Sequence, residues 1–277
     1  EHVSGGFFSV AGIRTAASVP AFHGICQPII DQPEVGILGF IVRPSAAGRE
    51  WLVQAKAEPG NVGEVHLAPS VQATRSNYMR VHGGAATPYI DRFIAPGQGD
   101  TVVRDSLQSE HGNRFLGKYN SNVTLLSGDG GPAPHSADWR WVAAAELRAM
   151  LTADFAVNTD ARSVLFCSDW SLLADGAPFG RWRGGCDWRA GLPGSFEAAA
   201  AEDEMDVLEW LDRERRRIDL EVGTVALESM PDWEITGDGI VRRADGQALI
   251  RAYAVEASSR EVGSWDQPFY LGGQVEE

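Results

Sequence analysis

The chain of 277 residues is short of cysteine and of long apolar runs, and each shortage excludes a class of protein. Its three cysteines, Cys26, Cys167 and Cys186, lie far apart with no Cys-x-x-Cys pair, so neither a disulfide framework nor a zinc ribbon is expected. The longest apolar run, Val35 to Val42, falls well below the ~20 residues a membrane-crossing helix needs. The first residues, Glu1-His2-Val3-Ser4-Gly5-Gly6, lack the basic start and apolar stretch of a secretory signal. Cytoplasm is the expected location, with no membrane partner. Positive charge is also scarce, with 24 Lys and Arg against 38 Asp and Glu and a net charge of −14. Nucleic acids and anionic membranes both require a basic footprint, so neither is an expected partner.

Several catalytic signatures are missing as well. No Gly-x-Gly-x-x-Gly follows a strand, and there is no phosphate-binding Gly-x-x-x-x-Gly-Lys-Ser/Thr loop, Gly-x-Ser-x-Gly elbow or His-Glu-x-x-His helix. The six histidines, His2, His23, His66, His82, His111 and His135, show none of the short spacings of metal ligands, so no metal site is expected.

What is present is a chain long enough to bury one large core or two smaller ones. Gly36 to Arg43 reads as a buried strand, Pro44 to Gly48 as a turn, and Trp51 to Lys56 as a second strand of a hairpin. Gln54, Lys56 and Glu58 then fall at period two, on one face. Val65 to Leu67 begins a further strand, while the period of Ser70 to Tyr78 suits helix and loop equally. Helices are expected at Trp141 to Ala153, with Leu147, Met150 and Leu151 on one face, and at Glu197 to Arg217, with a packing stripe of Met205, Leu208 and Leu211. Short strands are expected at Val222 to Leu227 and Ala248 to Val255. A composition shift at Phe196 marks a boundary. A weak internal repeat relates Gly5 to Ile13 and Ile25-Cys26-Gln27-Pro28 to Asp245 to Tyr253 and Trp265-Asp266-Gln267-Pro268, with Gln27 and Gln267 standing 240 positions apart.

Dense polar blocks punctuate the first half: Gln54-Ala55-Lys56-Ala57-Glu58-Pro59-Gly60-Asn61, Gln72-Ala73-Thr74-Arg75-Ser76-Asn77-Tyr78, Gln108-Ser109-Glu110-His111-Gly112 and Lys118-Tyr119-Asn120-Ser121-Asn122. Acids and bases nearly balance between Gln54 and Asn122, so a small anionic ligand can be held there despite the overall charge. With Gln27 to Phe40 upstream, these blocks occur in the order and near-identical form of the NDP-hexose 2,3-dehydratases, which the chain resembles closely from Gly6 to Asn122. The resemblance continues more loosely through Asp138-Trp139-Arg140-Trp141 and Val157-Asn158-Thr159-Asp160-Ala161-Arg162. The sequence departs from the family pattern at Ser121, where arginine is expected, and at Ser70, where threonine is usual.

The resemblance implies an α/β fold of the α+β kind: a Nudix-like mixed-sheet domain with flanking helices over residues 1–195, a connecting helix over 196–217, and the start of a second, incomplete repeat over 218–277. The Nudix hydrolase box is absent, so metal-dependent diphosphate hydrolysis is not inherited from the fold. The resemblance further implies a homodimer acting on a dTDP-4-keto-6-deoxyhexose without metal, flavin or nicotinamide, its product passing to a separate 3-ketoreductase. A base removes the C3 proton beside the C4 ketone, the C2 hydroxyl leaves, and the enol becomes a 3,4-diketone. Glu58 and Glu110 are the candidates for proton transfer, and Lys56, Lys118 or Tyr78 for stabilising the enolate or protonating the departing oxygen. Arg75 suits the diphosphate because its planar fork matches phosphate oxygens. Gln54, Asn61, Gln72, Thr74, Ser76, Asn77, Gln108, Asn120 and Asn122 supply donors and acceptors for the sugar and pyrimidine.

The residues also admit plainer readings. Glu58 can be an acid flanking a turn and Lys56–Glu58 a same-face ion pair. Gln27, Gln32 and Glu34 are equally suited to holding a turn, and Trp139 and Trp141 to a core or an interface. The alternative function is a non-catalytic sugar-nucleotide-binding or dimerisation module.

Overall fold

In the computed structural model, residues 8–46, 48–81, 83–173, 203–237, 239–256 and 263–271 are described. The strands, in chain order, are β1 (Ser9–Ala16), β2 (Cys26–Asp31), β3 (Gly36–Ser45), β4 (Gly48–Ala57), β5 (Val65–Ala68), β6 (Val71–Ala73), β7 (Asp100–Ser109), β8 (Tyr119–Ser127), β9 (Trp139–Ala143), β10 (Glu221–Val225), β11 (Trp233–Thr236), β12 (Gly239–Arg242), β13 (Ala248–Glu256) and β14 (Ser264–Tyr270). The helices are α1 (Arg75–Tyr78), α2 (Ile90–Ile94), α3 (Ala144–Met150), α4 (Thr159–Cys167), α5 (Trp170–Leu173) and α6 (Asp203–Ile218). The fold is mixed α/β with several sheets and few helices, as the coarse class expected. Among the described residues, no helix is long and apolar enough to cross a membrane.

The described residues divide into two compact units that interleave along the chain. One comprises 34–110 and 119–173, the other 8–33, 111–118 and the described part of 203–271.

The first unit is built on a sheet of order β5-β4-β3-β8-β7, with β6 added to β3 and β9 to β4. The expected hairpin is there, with β3 and β4 antiparallel from Ile41↔Leu52 to Ser45↔Gly48. β3 also pairs in parallel with β8, so it lies in the sheet interior, which accounts for its nearly unbroken apolar sequence. Alternate residues Leu38, Phe40 and Val42 of β3, with Trp51 and Val53 of β4, join Leu147, Val157, Ala161, Val164 and Leu165 in one core. Phe40 and Trp51 meet edge to face at 5.3 Å between ring centres. Each such large side chain, fully buried, contributes about 1.5–3 kcal/mol of apolar burial.

Past Ile41 and Leu52 the two strands part. The buried hydroxyl of Ser70 sits between them, accepting from the Ile41 N–H at 2.9 Å and donating to the Leu52 carbonyl at 2.5 Å. Beyond this wedge β5 pairs with the end of β4, from Gln54↔Ala68 to Ala57↔Val65, while β6 pairs with the start of β3, from Ile37↔Ala73 to Gly39↔Val71. The expected strand at Val65 is therefore present. Ser70 to Tyr78 resolves into the end of a turn, strand β6 and the single turn α1.

One expected helix begins later than its sequence suggests. Trp139–Ala143 is strand β9, paired with β4 from Glu50↔Ala143 to Gln54↔Trp139, and α3 starts only at Ala144. The exposed edge of β4 offers backbone partners to an alternating Trp-Arg-Trp segment, and this outweighs the helix propensity that the sequence runs on into. Leu147 is buried, with Met150 and Leu151 packed against the core as expected.

The other unit holds the sheets β10-β1-β2 and β11-β12-β13-β14. They share a cluster of Ile30, Met230, Trp233, Ile240 and Ile250. Polar atoms tie them too: the Trp233 indole donates to the Cys26 carbonyl at 2.9 Å and the Tyr270 hydroxyl to the Pro28 carbonyl at 2.7 Å. The two hairpins of this unit share a register. β1–β2 pairs Val10↔Ile30, Gly12↔Pro28 and Ile13↔Gln27, and β13–β14 pairs Ile250↔Tyr270, Ala252↔Pro268 and Tyr253↔Gln267. Every one of these pairs maps onto its counterpart with the same displacement as the sequence repeat.

The long helix expected from Glu197 is seen as α6, its preceding residues lying outside the described ones. Of the expected packing stripe, Leu211 is half-buried and the Met205 side chain lies outside the described residues. Leu208 is 51% exposed beside exposed Val207 and Trp210, and α6 supplies no residue to the cluster of its unit.

Candidate functional site

Some residues of the polar blocks are brought toward the amino end of α4, in the first unit. Asn158 caps this helix, its carbonyl oxygen accepting from the Ala161 N–H at 2.7 Å, so its amide nitrogen is left to point outward. That nitrogen donates to the Gln72 side-chain oxygen at 3.0 Å, and the Gln72 amide nitrogen donates in turn to Glu58 at 2.9 Å. Lys56, buried at the end of β4, completes the arrangement. Its ammonium reaches the Gln72 carbonyl at 3.3 Å and lies 3.6 Å from the Glu58 carboxylate. The cap thus fixes the orientation of one amide, and that amide fixes a carboxylate.

A second carboxylate comes from the far side of the sheet. Glu110, just past β7, accepts from the side chain of Asn120 at 2.5 Å, and Asn120 is buried at the start of β8. Asn120 pairs with Gly36 of β3, and the two must lie close. A methyl group on Gly36 would come 2.6 Å from the Asn120 side-chain oxygen.

The third carboxylate, Asp160, stands in the first turn of α4 and is partly buried. Burial raises its carboxyl far above the usual aspartate range, the charges of Glu110 and then Glu58 raise it further, and Lys56 pulls it back, for a net position of about 7. The amino end of a helix favours a carboxylate, so these effects act against the helix dipole. Two acids raise Asp160 and one ammonium lowers it, and a retained proton relieves the repulsion that remains.

The remaining sequence candidates divide around this centre. Asn122 is buried under α4, donating to Ser163 at 2.8 Å, and with the bond from Thr124 to Ser168 it fastens the helix to β8. Gln108 lies by the carboxyl end of α4, accepting from Cys167 at 3.8 Å. Gln54 sits opposite Trp139 across β4 and β9. Asn61 closes the turn between Glu58 and Glu64. Thr74 and Ser76 bond each other at 3.1 Å, and Ser76 donates its hydroxyl and N–H to Glu34, which therefore braces the start of α1. Arg75 is exposed on α1 and Asn77 partly so, while Tyr78 packs against Val71, Ala73 and Ile90. Lys118 is buried and belongs to the other unit.

The aromatic pair at period two has separate neighbours. Trp139 donates to the Ser70 carbonyl and meets Tyr89 and His135 edge to face, whereas Trp141 lies under the Arg43 guanidinium at 4.2 Å. Both rings are partners within the unit, matching the plainer reading. Among the described residues, no group of three or more His, Cys, Asp or Glu is placed to hold a metal ion.

Asp160 and Asn158 were not among the sequence candidates. Asn-Thr-Asp ahead of an apolar run reads as an ordinary helix start, and only the fold carries these residues to Glu58 and Glu110. The signal in the sequence was the looser block Val157 to Arg162.

The pattern of the NDP-hexose 2,3-dehydratase family matches residues 1–168 and 204–272. A dTDP-4-dehydro-6-deoxy-alpha-D-glucopyranose 2,3-dehydratase of Streptomyces violaceoruber is 38% identical, covering 97% of this chain and 57% of that protein. Proteins of the same name from Saccharopolyspora spinosa and Amycolatopsis orientalis are 34% and 33% identical over 96% of this chain, and 54% and 52% of theirs. The chain spans about half the length of the curated relatives it matches.

Proposed function

The chain belongs to the NDP-hexose 2,3-dehydratase family, and we propose that it performs 2,3-dehydration of a dTDP-linked 4-keto-6-deoxyhexose with the side chains gathered at the amino end of α4. The observation that carries this reading is the grouping itself. A buried ammonium stands beside a carboxylate held by Gln72, and a second carboxylate is held by Asn120. Elimination beside a ketone requires a base for C3 and a positive group for the developing enolate. Glu58 and Glu110 each accept a hydrogen bond that fixes the carboxylate, from Gln72 and Asn120 respectively, and Lys56 supplies the charge that an enolate oxygen at C4 requires. Arg75, exposed on α1, suits the diphosphate.

The names of the relatives support dTDP as the nucleotide. The 3,4-diketone product is reactive, which favours a separate 3-ketoreductase that consumes it, and the family resemblance favours a homodimer, a Nudix-like fold and a location in the cytoplasm. The shared register of β1–β2 and β13–β14 supports reading the second hairpin as the start of a related repeat. Incubation with the 4-keto substrate and a trapping ketoreductase tests the activity. A 2-deoxy product is expected. No product from a protein that binds dTDP would leave a sugar-nucleotide-binding module, and release of nucleoside monophosphate in magnesium would indicate a hydrolase.

A further inference from the structure

Elimination leaves one chemical need that Lys56, Glu58 and Glu110 do not meet. The C2 hydroxyl is a poor leaving group and must take up a proton as it departs. We propose that Asp160 is the acid that delivers this proton, a catalytic role resting on the dehydration reading above.

The placement comes from the packing of α4 on β8. Asn122 bonds Ser163 at 2.8 Å and Cys167 at 3.7 Å, and Thr124 bonds Ser168 at 2.9 Å, so helix and strand advance side by side. Asp160, Ser163 and Cys167 follow the three- and four-residue spacing of a single helix face. One turn before Ser163, that face reaches the stretch of β8 where Asn120 holds Glu110. The charged groups bearing on Asp160 are Glu110 beyond β7, and Glu58 and Lys56 from the end of β4. Within its own helix Arg162 is turned away, donating to the carbonyls of Val157 and Leu151 at 3.0 and 2.8 Å. Asp160 thus carries its carboxyl on a packed helix face within the field of two other acids, which gives it reason to keep a proton. Its elevated position near 7 agrees with this.

The step balances. A glutamate takes the C3 proton, and the electron pair of that bond forms the enolate across C3 and C4. Return of the enolate electrons forms C2=C3 and breaks the C2–O bond, and the departing oxygen takes the Asp160 proton and leaves as water. The enol then becomes the ketone, C2 gaining a proton and the C3 oxygen losing one.

Separating the two half-steps tests the assignment. In deuterated water, Asp160→Asn is expected to exchange the C3 hydrogen of the 4-keto sugar at a rate within about tenfold of wild type. Its 2-deoxy product should fall by 10²–10⁴-fold, the range general acid catalysis spans. Asp160→Glu is expected to recover part of the product rate. Retained product formation by Asp160→Asn, or loss of exchange together with product in a variant that still binds dTDP, would overturn the role. Carbon-13 NMR of the Asp160 carboxyl provides a readout independent of turnover. Titration near neutral pH is expected, and titration with ordinary aspartates would overturn the proposal even if the wild type proves active. A wild type that neither exchanges nor dehydrates would instead remove the reaction itself.

Discussion

Replacing Gly36 by alanine probes the centre without touching a reactive group. The new methyl would stand 2.6 Å from the Asn120 side-chain oxygen and 3.3 Å from the Ala73 carbonyl. The backbone has little room to yield, because β3 is hydrogen-bonded to β6 on one edge and β8 on the other. Asn120 must therefore swing away and release Glu110. Overpacking of this kind costs about 1–3 kcal/mol, and a lost buried hydrogen bond adds about 1 kcal/mol. Gly39→Ala supplies the comparison. Its methyl would collide with the Phe93 ring at 2.1 Å, in the cluster under α2 and away from α4. Both variants should lose stability to a similar extent in urea titrations. At a temperature where both remain folded, kcat/KM should fall at least about tenfold for Gly36→Ala, corresponding to 1.4 kcal/mol in the barrier, and less than about threefold for Gly39→Ala. Equal activities would refute the claim that Asn120 positions Glu110 for chemistry.

Asp160→Asn also alters stability, with a sign opposite to most substitutions. A carboxyl raised to about 7 in the folded protein ionises near 4 when unfolded, so wild type loses stability as pH rises from about 4 to 7. The variant lacks this loss and should be more stable at neutral pH by on the order of 2 kcal/mol, reduced from the full shift because Asp160 is only partly buried. The difference should vanish near pH 4 in thermal melts. Lys56→Met removes the charge that holds Asp160 down, so the Asp160 carboxyl should titrate still higher by NMR while the dehydration rate falls. Arg75→Ala should weaken dTDP binding about 10–100-fold by calorimetry, and the loss should shrink as salt is added.

The parts of the fold legible in the sequence were those set by local pattern. Gly36 to Lys56 shows its hairpin because an apolar run, a Pro-Gly turn and a second run follow one another, and Val65 and Ala248 start strands for similar reasons. The start of α3 was hidden because Trp139 to Ala143 and the helix after it are both compatible with the helix pattern, and only the open edge of β4 decides between them. Leu208 of α6 shows the reverse limit: an apolar stripe states what a helix can bury, and only the fold states what covers it. Of the candidate site, Lys56, Glu58, Gln72, Glu110 and Asn120 were visible as members of dense polar blocks. Asp160 was not, because the charged groups that bear on it come from Glu110, 50 residues earlier, and from Glu58 and Lys56, more than 100 residues earlier, and its own sequence context is that of a helix cap. Glu34, Thr74 and Ser76 belong to equally polar stretches, yet they satisfy one another around α1. Residue type alone does not separate such a brace from a ligand contact.

A crystal structure of Asp160→Asn with the 4-keto sugar nucleotide bears on the whole account at once. The sugar should lie at the amino end of α4, with C3 within about 3.5 Å of the carboxylate of Glu58 or Glu110 and the C2 hydroxyl within hydrogen-bonding reach of residue 160. Such a complex would identify the base by distance. A sugar bound with C2 and C3 remote from these side chains would contradict the assignment of the site.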